Sequence, residues 1–328
     1  MKQILQYLFN HQTLTKVEAK SILLEISQGK FNESEVTAFI TVFLMRSITL
    51  DELMGFREAL LQLATPIYLE DTDGIDIVGT GGDGKDTFNI STLASFIVAG
   101  AGQTVVKQGN YGASSISGSS NVLEHLGYQF KNDAEGLKSD LEKANICFLH
   151  APLFHPALKS VAPLRRQLGL KTFFNLLGPL VNPARPQYRL IGVANLEIAR
   201  LYQYLLQKEN ASFTLVHALD GYDEISLTGD TKIITEQGEK VYSAEELGGQ
   251  PLAPESLSGG KTKEEAALIF RTILEGNGTP EQNAVVLANA AMALASTQKF
   301  GNYSDCFQLA KESLESGKAL EVLKRLIH

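Results

Sequence analysis

Residues 76–119 read DIVGTGGDGKDTFNISTLASFIVAGAGQTVVKQGNYGASSISGS. The apolar run 75–78 that opens this stretch predicts a buried strand, and glycines follow at positions 79, 81, 82 and 84. The segment 89–92 then leads into an apolar run at 93–98 that predicts a helix. Glycine lets the backbone approach a ligand closely, and the N–H groups of a first helical turn favour phosphate. The order strand, glycine loop and helix therefore indicates an anion-binding site.

A second loop, rich in glycine and serine, follows the first. The run 104–106 predicts a neighbouring strand that ends at Lys107, and residues 108–119 form the loop behind it. Two such loops at one edge of a sheet can hold a single ligand that carries more than one phosphate. The spacing of the first loop, GTGGDG, fits neither the dinucleotide-binding fingerprint nor the P-loop.

Composition limits the class of protein. The chain has 328 residues, enough for two domains, and its 44% apolar and 20% charged residues are those of an ordinary soluble protein. A formal charge of −8 argues against a nucleic-acid partner. Cys147 and Cys306 are too few for a disulfide framework, which favours a reducing cytosol. With no signal-like segment and no apolar run of about 20 residues, we expect a cytoplasmic protein without a membrane span.

The organisation changes near residue 66. Residues 1–65 have helical periodicity, with capping boxes at Thr15–Glu18 and Thr49–Glu52, and Pro66 ends the pattern. From residue 75 strands alternate with helices, the segment 231–242 alternates like antiparallel strands, and the last helices are predicted at 262–275, 280–296 and 303–325. This pattern predicts a helical domain at 1–66 and an α/β domain at 70–328 with a mostly parallel sheet, whose ligands bind at the carboxyl ends of the strands.

Asp223-Glu224 forms a second candidate constellation. Successive side chains of a strand point to opposite faces, so two carboxylates that serve one region must lie on a turn, which Gly221 permits. Magnesium is commonly held by one or two carboxylates together with water and substrate phosphates. Such a pair suits a magnesium diphosphate. For an isolated pair, a solvated acidic turn is the alternative.

Three stretches together resemble the anthranilate phosphoribosyltransferase family. They are residues 76–119, residues 151–182 (APLFHPALKSVAPLRRQLGLKTFFNLLGPLVN) and residues 217–229 (HALDGYDEISLTG). The resemblance implies the nucleoside phosphorylase/phosphoribosyltransferase fold, with the helical domain completed by about 165–182. It also implies transfer of the phosphoribosyl group of 5-phosphoribosyl 1-diphosphate to anthranilate in tryptophan biosynthesis. A homodimer through the helical domains and two Mg²⁺ ions are further expectations.

The resemblance assigns site residues as well. Metal ligands would be Ser91, Asp223 and Glu224. The phosphoribosyl diphosphate would contact Gly79, Gly82, Asp83, Thr87, Asn89, Ile90, Ser91, Thr92, Lys107, Gly109, Ser114, Ser115 and Ser119. No side chain is expected to act as a covalent or acid–base catalyst, because positioning and electrostatics are sufficient. Thr92 and Asn89 also fit ordinary helix-cap positions.

The acceptor would contact Gly79, Asn110 and Arg165, whose guanidinium can grip a carboxylate through two parallel hydrogen bonds. Gln108 and His155 are further candidates, although His155 could also cap a short helix. Gln108, Tyr111 and Asn121 depart from the family pattern, which has histidine, arginine and aspartate there. We expect anthranilate still to be the acceptor, with Tyr111 packing on its ring.

Two other functions remain open at this point. A pyrimidine nucleoside phosphorylase-like enzyme shares the fold, but it uses free phosphate and should lack the acidic pair. A non-enzymatic, nucleic-acid-binding relative would need a basic surface and degenerate loops. The charge of this chain and its complete first loop argue against that second alternative.

Overall fold

A computed structural model describes residues 1–69, 73–112, 116–209 and 212–328. The chain forms two compact units, which we call the helical unit (Met1–Pro66 and Ala151–Arg185) and the α/β unit (Ile67–His150 and Pro186–His328). The segment 151–185 of the helical unit contains the stretch 165–182 named above and extends it in both directions.

The helices and strands of the described residues are numbered in chain order. The strands are β1 Ile75–Gly79, β2 Val105–Gly109, β3 Ile146–His150, β4 Tyr188–Gly192, β5 Ser212–Ala218, β6 Thr231–Thr235 and β7 Gly238–Tyr242. The helices are α1 Lys2–Phe9, α2 Lys16–Ser27, α3 Glu33–Met45, α4 Leu50–Leu63, α5 Ile90–Gly100, α6 Ser119–His125, α7 Ala134–Ala144, α8 Ala151–Phe154, α9 Leu158–Leu168, α10 Phe173–Leu177, α11 Leu196–Gln207, α12 Lys263–Leu274, α13 Pro280–Ser296, α14 Tyr303–Glu315 and α15 Lys318–Ile327. Gly178–Leu180 and Pro254–Leu257 are short 3-10 helices.

The helical unit begins its helices where the sequence predicts. The hydroxyl of Thr15 accepts a hydrogen bond from the N–H of Glu18, and Thr49 caps α4 in the same way through Glu52, so both capping boxes are confirmed. The aromatic core combines both parts of the unit: the rings of Phe56 and Phe173 stack with centroids 4.5 Å apart. The segment 151–185 thus supplies part of the core of this unit.

One seven-stranded sheet forms the centre of the α/β unit, in the order β3-β2-β1-β4-β5-β6-β7. The strands β3, β2, β1, β4 and β5 are parallel, whereas β6 and β7 add an antiparallel edge. This confirms the predicted mostly parallel sheet. Its carboxyl edge carries both glycine loops, because β1 ends at Gly79 and β2 ends at Gly109.

Two predicted elements differ most clearly from the structure. The strand predicted to end at Lys107 continues to Gly109, because β2 pairs with β3 through Gly109↔His150. The single helix predicted at 303–325 is two helices, α14 and α15, separated at Gly317. This glycine has φ +79°, a left-handed conformation that ends a helix at little cost only when the residue is glycine. Within the described part of the chain, no helix is both long and apolar enough to span a membrane.

Candidate functional site

The acidic pair lies against the first glycine loop. Asp223 and Glu224 are in the turn after β5, as the sequence predicts. The N–H of Gly81 donates to Oδ2 of Asp223 over 2.6 Å, and the N–H of Ser91 donates to Oε1 of Glu224 over 2.9 Å. A Cβ at Gly79 would collide with the Asp223 carboxylate, so this position requires glycine. The pair therefore faces the loop and the first turn of α5, and the alternative of a solvated acidic turn is wrong.

Burial makes these carboxyl groups unusual. Desolvation, with the charge of Asp83 as the next cause, raises the pKa of Asp223 to about 7. Desolvation and the adjacent Asp223 raise the pKa of Glu224 well above its usual value. Both shifts arise because negative charge is crowded into a poorly solvated space. A divalent cation bound there would favour the ionised forms.

The residues present fit magnesium. Among the described residues, no three His, Cys, Asp or Glu side chains are arranged to hold a metal by themselves. Two carboxylates beside an anion-binding loop match the way Mg²⁺ is commonly bound, with the remaining ligands from water and substrate phosphates. Asp223 and Glu224 are the residues that would hold it, with Ser91 as the third candidate at the start of α5.

The first loop and the N-terminus of α5 carry most of the predicted phosphate contacts. Asn89 lies at the N-cap position of α5, but its side chain makes no capping bond. Instead its Nδ2 donates to the carbonyl of Ser117, 3.1 Å away, and so joins the two loops. Ile90 is completely buried and its N–H donates to the carbonyl of Phe88 over 2.6 Å, so its contact with a ligand stays a prediction. Gly82, Asp83 and Thr87 lie in the loop, and Ser91 and Thr92 follow Ile90 in the first turn of α5.

Lys107 occupies a different environment from the loops. It lies inside β2, is 2% exposed, and its ammonium donates to the carbonyl of Ile77 in β1. Desolvation lowers the pKa of Lys107 to about 8. A phosphate contact by this residue stays a prediction. The predicted contacts Ser114 and Ser115 lie outside the described residues, whereas Gly109 ends β2 and Ser119 begins α6.

Each of the three residues that depart from the family pattern makes a hydrogen bond within the α/β unit. The N–H of Gln108 donates to Oδ1 of Asp76 over 3.1 Å within the sheet. The Tyr111 hydroxyl donates to Glu124 over 2.7 Å. The Asn121 Oδ1 accepts from the N–H groups of Gly112 and Gly118, both at 3.0 Å.

The rings of Tyr111 and His150 pack in a T-shaped arrangement, with centroids 4.7 Å apart. Packing of Tyr111 on a substrate ring therefore stays a prediction. The Oδ1 of its neighbour Asn110 accepts from the Tyr111 N–H over 2.8 Å, and the Asn110 residue is exposed.

The helical unit carries Arg165 and His155. In α9, Nη2 of Arg165 donates to Oδ1 of Asn175 over 3.2 Å, and the guanidinium lies 5.3 Å from the centre of the Phe174 ring. Sequence reasoning missed Asn175 and Phe174, although both belong to the quoted segment 151–182. His155 is buried, and desolvation lowers its pKa to about 4, so it is neutral near pH 7.

Comparisons with known proteins agree over the whole chain. Models described as "Glycosyl transferase family, helical bundle domain" and "Glycosyl transferase family, a/b domain" match residues 2–64 and 71–320. The anthranilate phosphoribosyltransferase of Flavobacterium johnsoniae is 58% identical, covering 99% of this chain and 98% of that protein. That of Cytophaga hutchinsonii is 54% identical, with 100% of each covered.

Two solved structures are similar throughout. The crystal structure of the Thermus thermophilus anthranilate phosphoribosyltransferase has a TM-score of 0.91 and 32% identity, covering 98% of each chain. The Saccharomyces cerevisiae enzyme, solved in complex with PRPP and Mg, has a TM-score of 0.90 and 25% identity, covering 98% of this chain and 95% of that one.

Proposed function

Because this chain belongs to the anthranilate phosphoribosyltransferase family, we propose that it transfers the phosphoribosyl group of 5-phosphoribosyl 1-diphosphate to anthranilate. The products are N-(5-phosphoribosyl)anthranilate and diphosphate, and the step belongs to tryptophan biosynthesis. The observation that carries the proposal is the acidic pair of a buried Asp223 and a half-buried Glu224, whose carboxylates face the glycine loop and the N-terminus of α5.

The α/β unit binds the donor. The loop amides and the N-terminus of α5 would donate hydrogen bonds to the diphosphate oxygens, because they are oriented donors at the positive end of the helix. When bound, Mg²⁺ neutralises charge on the departing diphosphate. Asp223 and Glu224 would hold the metal, with Ser91 as a third ligand. We propose two Mg²⁺ ions.

The reaction asks little covalent chemistry of the protein. The amine nitrogen of anthranilate forms a bond to C1 of the ribose as the bond from C1 to the diphosphate oxygen breaks, and the nitrogen then loses a proton. Loop amides and α5 stabilise the negative charge that develops on the leaving group. Holding amine and C1 in a reactive orientation supplies the rest of the acceleration.

The acceptor carboxylate is bound by Arg165. Phe174 and Asn175 hold its guanidinium through a cation–π contact and a hydrogen bond, so the side chain is oriented before the acceptor arrives. Asn110 and Gly79 are the other proposed acceptor contacts, with Gln108 as a further one. A neutral His155 can line the acceptor pocket but brings no charge to it.

The assembly we propose is a cytoplasmic homodimer through the helical unit. Several apolar side chains of this unit are exposed, among them Phe9 (61%), Val17 (77%) and Met45 (83%). A groove of the same unit is lined partly by Ile4, Tyr7, Leu14 and Ile22. We propose that these side chains lie in the dimer interface, where their apolar surface would be removed from water.

A fluorescence assay tests the function directly. Anthranilate fluorescence should fall when enzyme, Mg²⁺ and 5-phosphoribosyl 1-diphosphate are all present, and it should stay constant when any one is left out. A pyrimidine base or another aromatic amine that is used faster than anthranilate would contradict the acceptor we name, and loss of a nucleoside with free phosphate would favour the nucleoside phosphorylase alternative.

A further inference from the structure

A remote segment of the α/β unit pairs with the first glycine loop. We call this segment, Leu257–Gly260, the strap. The N–H of Phe88 donates to the carbonyl of Leu257 over 3.0 Å, and the N–H of Gly259 donates to the carbonyl of Asp86 over 2.9 Å. Thr87 and Ser258 form an antiparallel bridge between these two bonds. The strap therefore holds the loop residues 86–88 as an added short strand would.

The contact has no room for a side chain at Gly259. A Cβ built there would lie 2.6 Å from the Thr87 carbonyl oxygen and 3.0 Å from the Phe88 nitrogen. Both neighbours are main-chain atoms, which cannot rotate away as the end of a side chain can. The φ of Gly259 is not positive, so close approach and not backbone conformation accounts for the glycine.

Thr87 is held from two directions. Its hydroxyl lies 3.4 Å from Oε2 of Glu224, while its main chain lies against Gly259. Gly259 and Gly260 also line a small cleft together with residues of both glycine loops, Thr87, Asn89 and Ser117. A shift of the strap would therefore move Thr87 relative to the acidic pair and to the second loop.

We infer that Gly259 is a positioning residue for the donor site: the strap sets where Thr87 stands between the α5 N-terminus and Glu224. Gly259 itself touches no reacting atom. Its effect is exerted through the position of the loop main chain, and an added methyl group must displace that main chain. The inference rests on the proposed function, because it takes the first loop to be the diphosphate site.

The test measures binding of magnesium diphosphate by calorimetry, without any acceptor. For Gly259→Ala we expect affinity to fall roughly tenfold or more, since small misplacements in a preorganised site have effects of that size. The donor KM should rise while the anthranilate KM stays unchanged. The control is Gly229→Ala, because a Cβ there makes only ordinary contacts, the nearest at 3.4 Å from Asp220. It should bind like wild type.

Hydrogen exchange on the wild-type protein provides a second test that needs no variant to fold. Magnesium diphosphate should slow amide exchange in residues 257–260 as well as in residues 79–92. Protection of 79–92 alone, or wild-type affinity in a folded Gly259→Ala protein, would overturn the role of the strap and leave the proposed function standing. Failure of the wild-type protein to bind magnesium diphosphate would contradict the proposed function itself.

Discussion

Glu224 caps helix α5: its Oε1 accepts a hydrogen bond from the main-chain N–H of Ser91 over 2.9 Å. A carboxylate at this place satisfies one of the free N–H groups of the first turn and interacts favourably with the helix dipole. A diphosphate at the same helix end would compete for that N–H. A divalent cation held by Glu224 would offset the negative charge of both the carboxylate and the phosphate.

Activity should therefore depend strictly on a divalent cation. Asp223→Asn and Glu224→Gln remove one negative ligand each and should lower turnover while the protein stays folded. Initial rates with Mg²⁺ and with EDTA, together with melting curves, check this. Asp230→Asn, at an exposed position a few residues downstream, is the matched control and should retain wild-type rates. Full activity in EDTA, or in the double variant, would rule out the metal role.

Local features of this site could be predicted from the sequence. The glycine loop, the start of α5 and the turn at Asp223-Glu224 each depend on neighbouring residues, and periodicity and glycine placement reveal them. The sequence also contains a sign of the break between α14 and α15, because Gly317 lies within the helical pattern. The periodicity of residues 303–325 nevertheless led to the prediction of a single helix. The burial of Lys107 could not be predicted locally, because its ammonium lies against the carbonyl of Ile77 in β1, a segment 30 residues away in sequence.

Contacts between distant segments could not be predicted. Nothing near Asp86–Phe88 indicates that Leu257–Gly260 pairs with it, because a bridge of two main-chain bonds leaves no periodic pattern. The partner of Tyr111 was missed for a similar reason: Glu124 lies on the next helix and has the composition of an ordinary surface residue. The family resemblance implied that about 165–182 returns to the helical unit, which periodicity alone does not indicate, and the structure extends this segment to 151–185.

Arg165→Ala should weaken acceptor binding and leave donor binding unchanged. Truncating one member of a buried charged pair typically costs about 2–5 kcal/mol, so the anthranilate KM should rise steeply. Arg166→Ala is the control, because Arg166 is the exposed neighbour on the same helix. Steady-state kinetics with each substrate varied in turn make the measurement. A rise in the donor KM instead would place Arg165 at the phosphate site.

The Tyr111–Glu124 hydrogen bond should make a modest contribution to the free energy of unfolding. Tyr111→Phe keeps the ring beside His150 and removes only the hydroxyl, so the free energy of unfolding should fall by about 0.5–1.5 kcal/mol at most. Glu124→Gln and the double variant complete a thermodynamic cycle in urea. Anthranilate turnover should change little, because Arg165 remains. A large loss of acceptor affinity in Tyr111→Phe would show that the hydroxyl contributes to substrate binding.

Charge placed on the exposed apolar surface of the helical unit should break the proposed dimer. Met45→Lys changes the most exposed of these side chains, at 83%, and light scattering at micromolar concentration should then give the mass of a monomer. Leu268→Lys is the matched control, since Leu268 is 66% exposed in the α/β unit. It should leave the dimer intact. A monomeric wild-type protein under the same conditions would contradict the assembly.

His155 should make the protein sensitive to mild acid. Burial lowers the pKa of His155 in the folded protein to about 4. The hydrogen bond with the Val181 backbone raises this pKa, but its effect is smaller than that of burial. The unfolded chain, with a histidine pKa of about 6.5, binds a proton first as the pH falls. Stability is therefore unaffected above about pH 6.5 and is lost between about pH 6.5 and 4, by up to roughly 3 kcal/mol.

Urea unfolding at pH 7.5 and pH 5 measures the loss. His155→Gln should flatten the pH dependence, whatever its stability at pH 7.5, whereas His125→Gln, at an exposed position, should follow wild type. An unchanged slope in His155→Gln would mean that other groups carry the acid sensitivity.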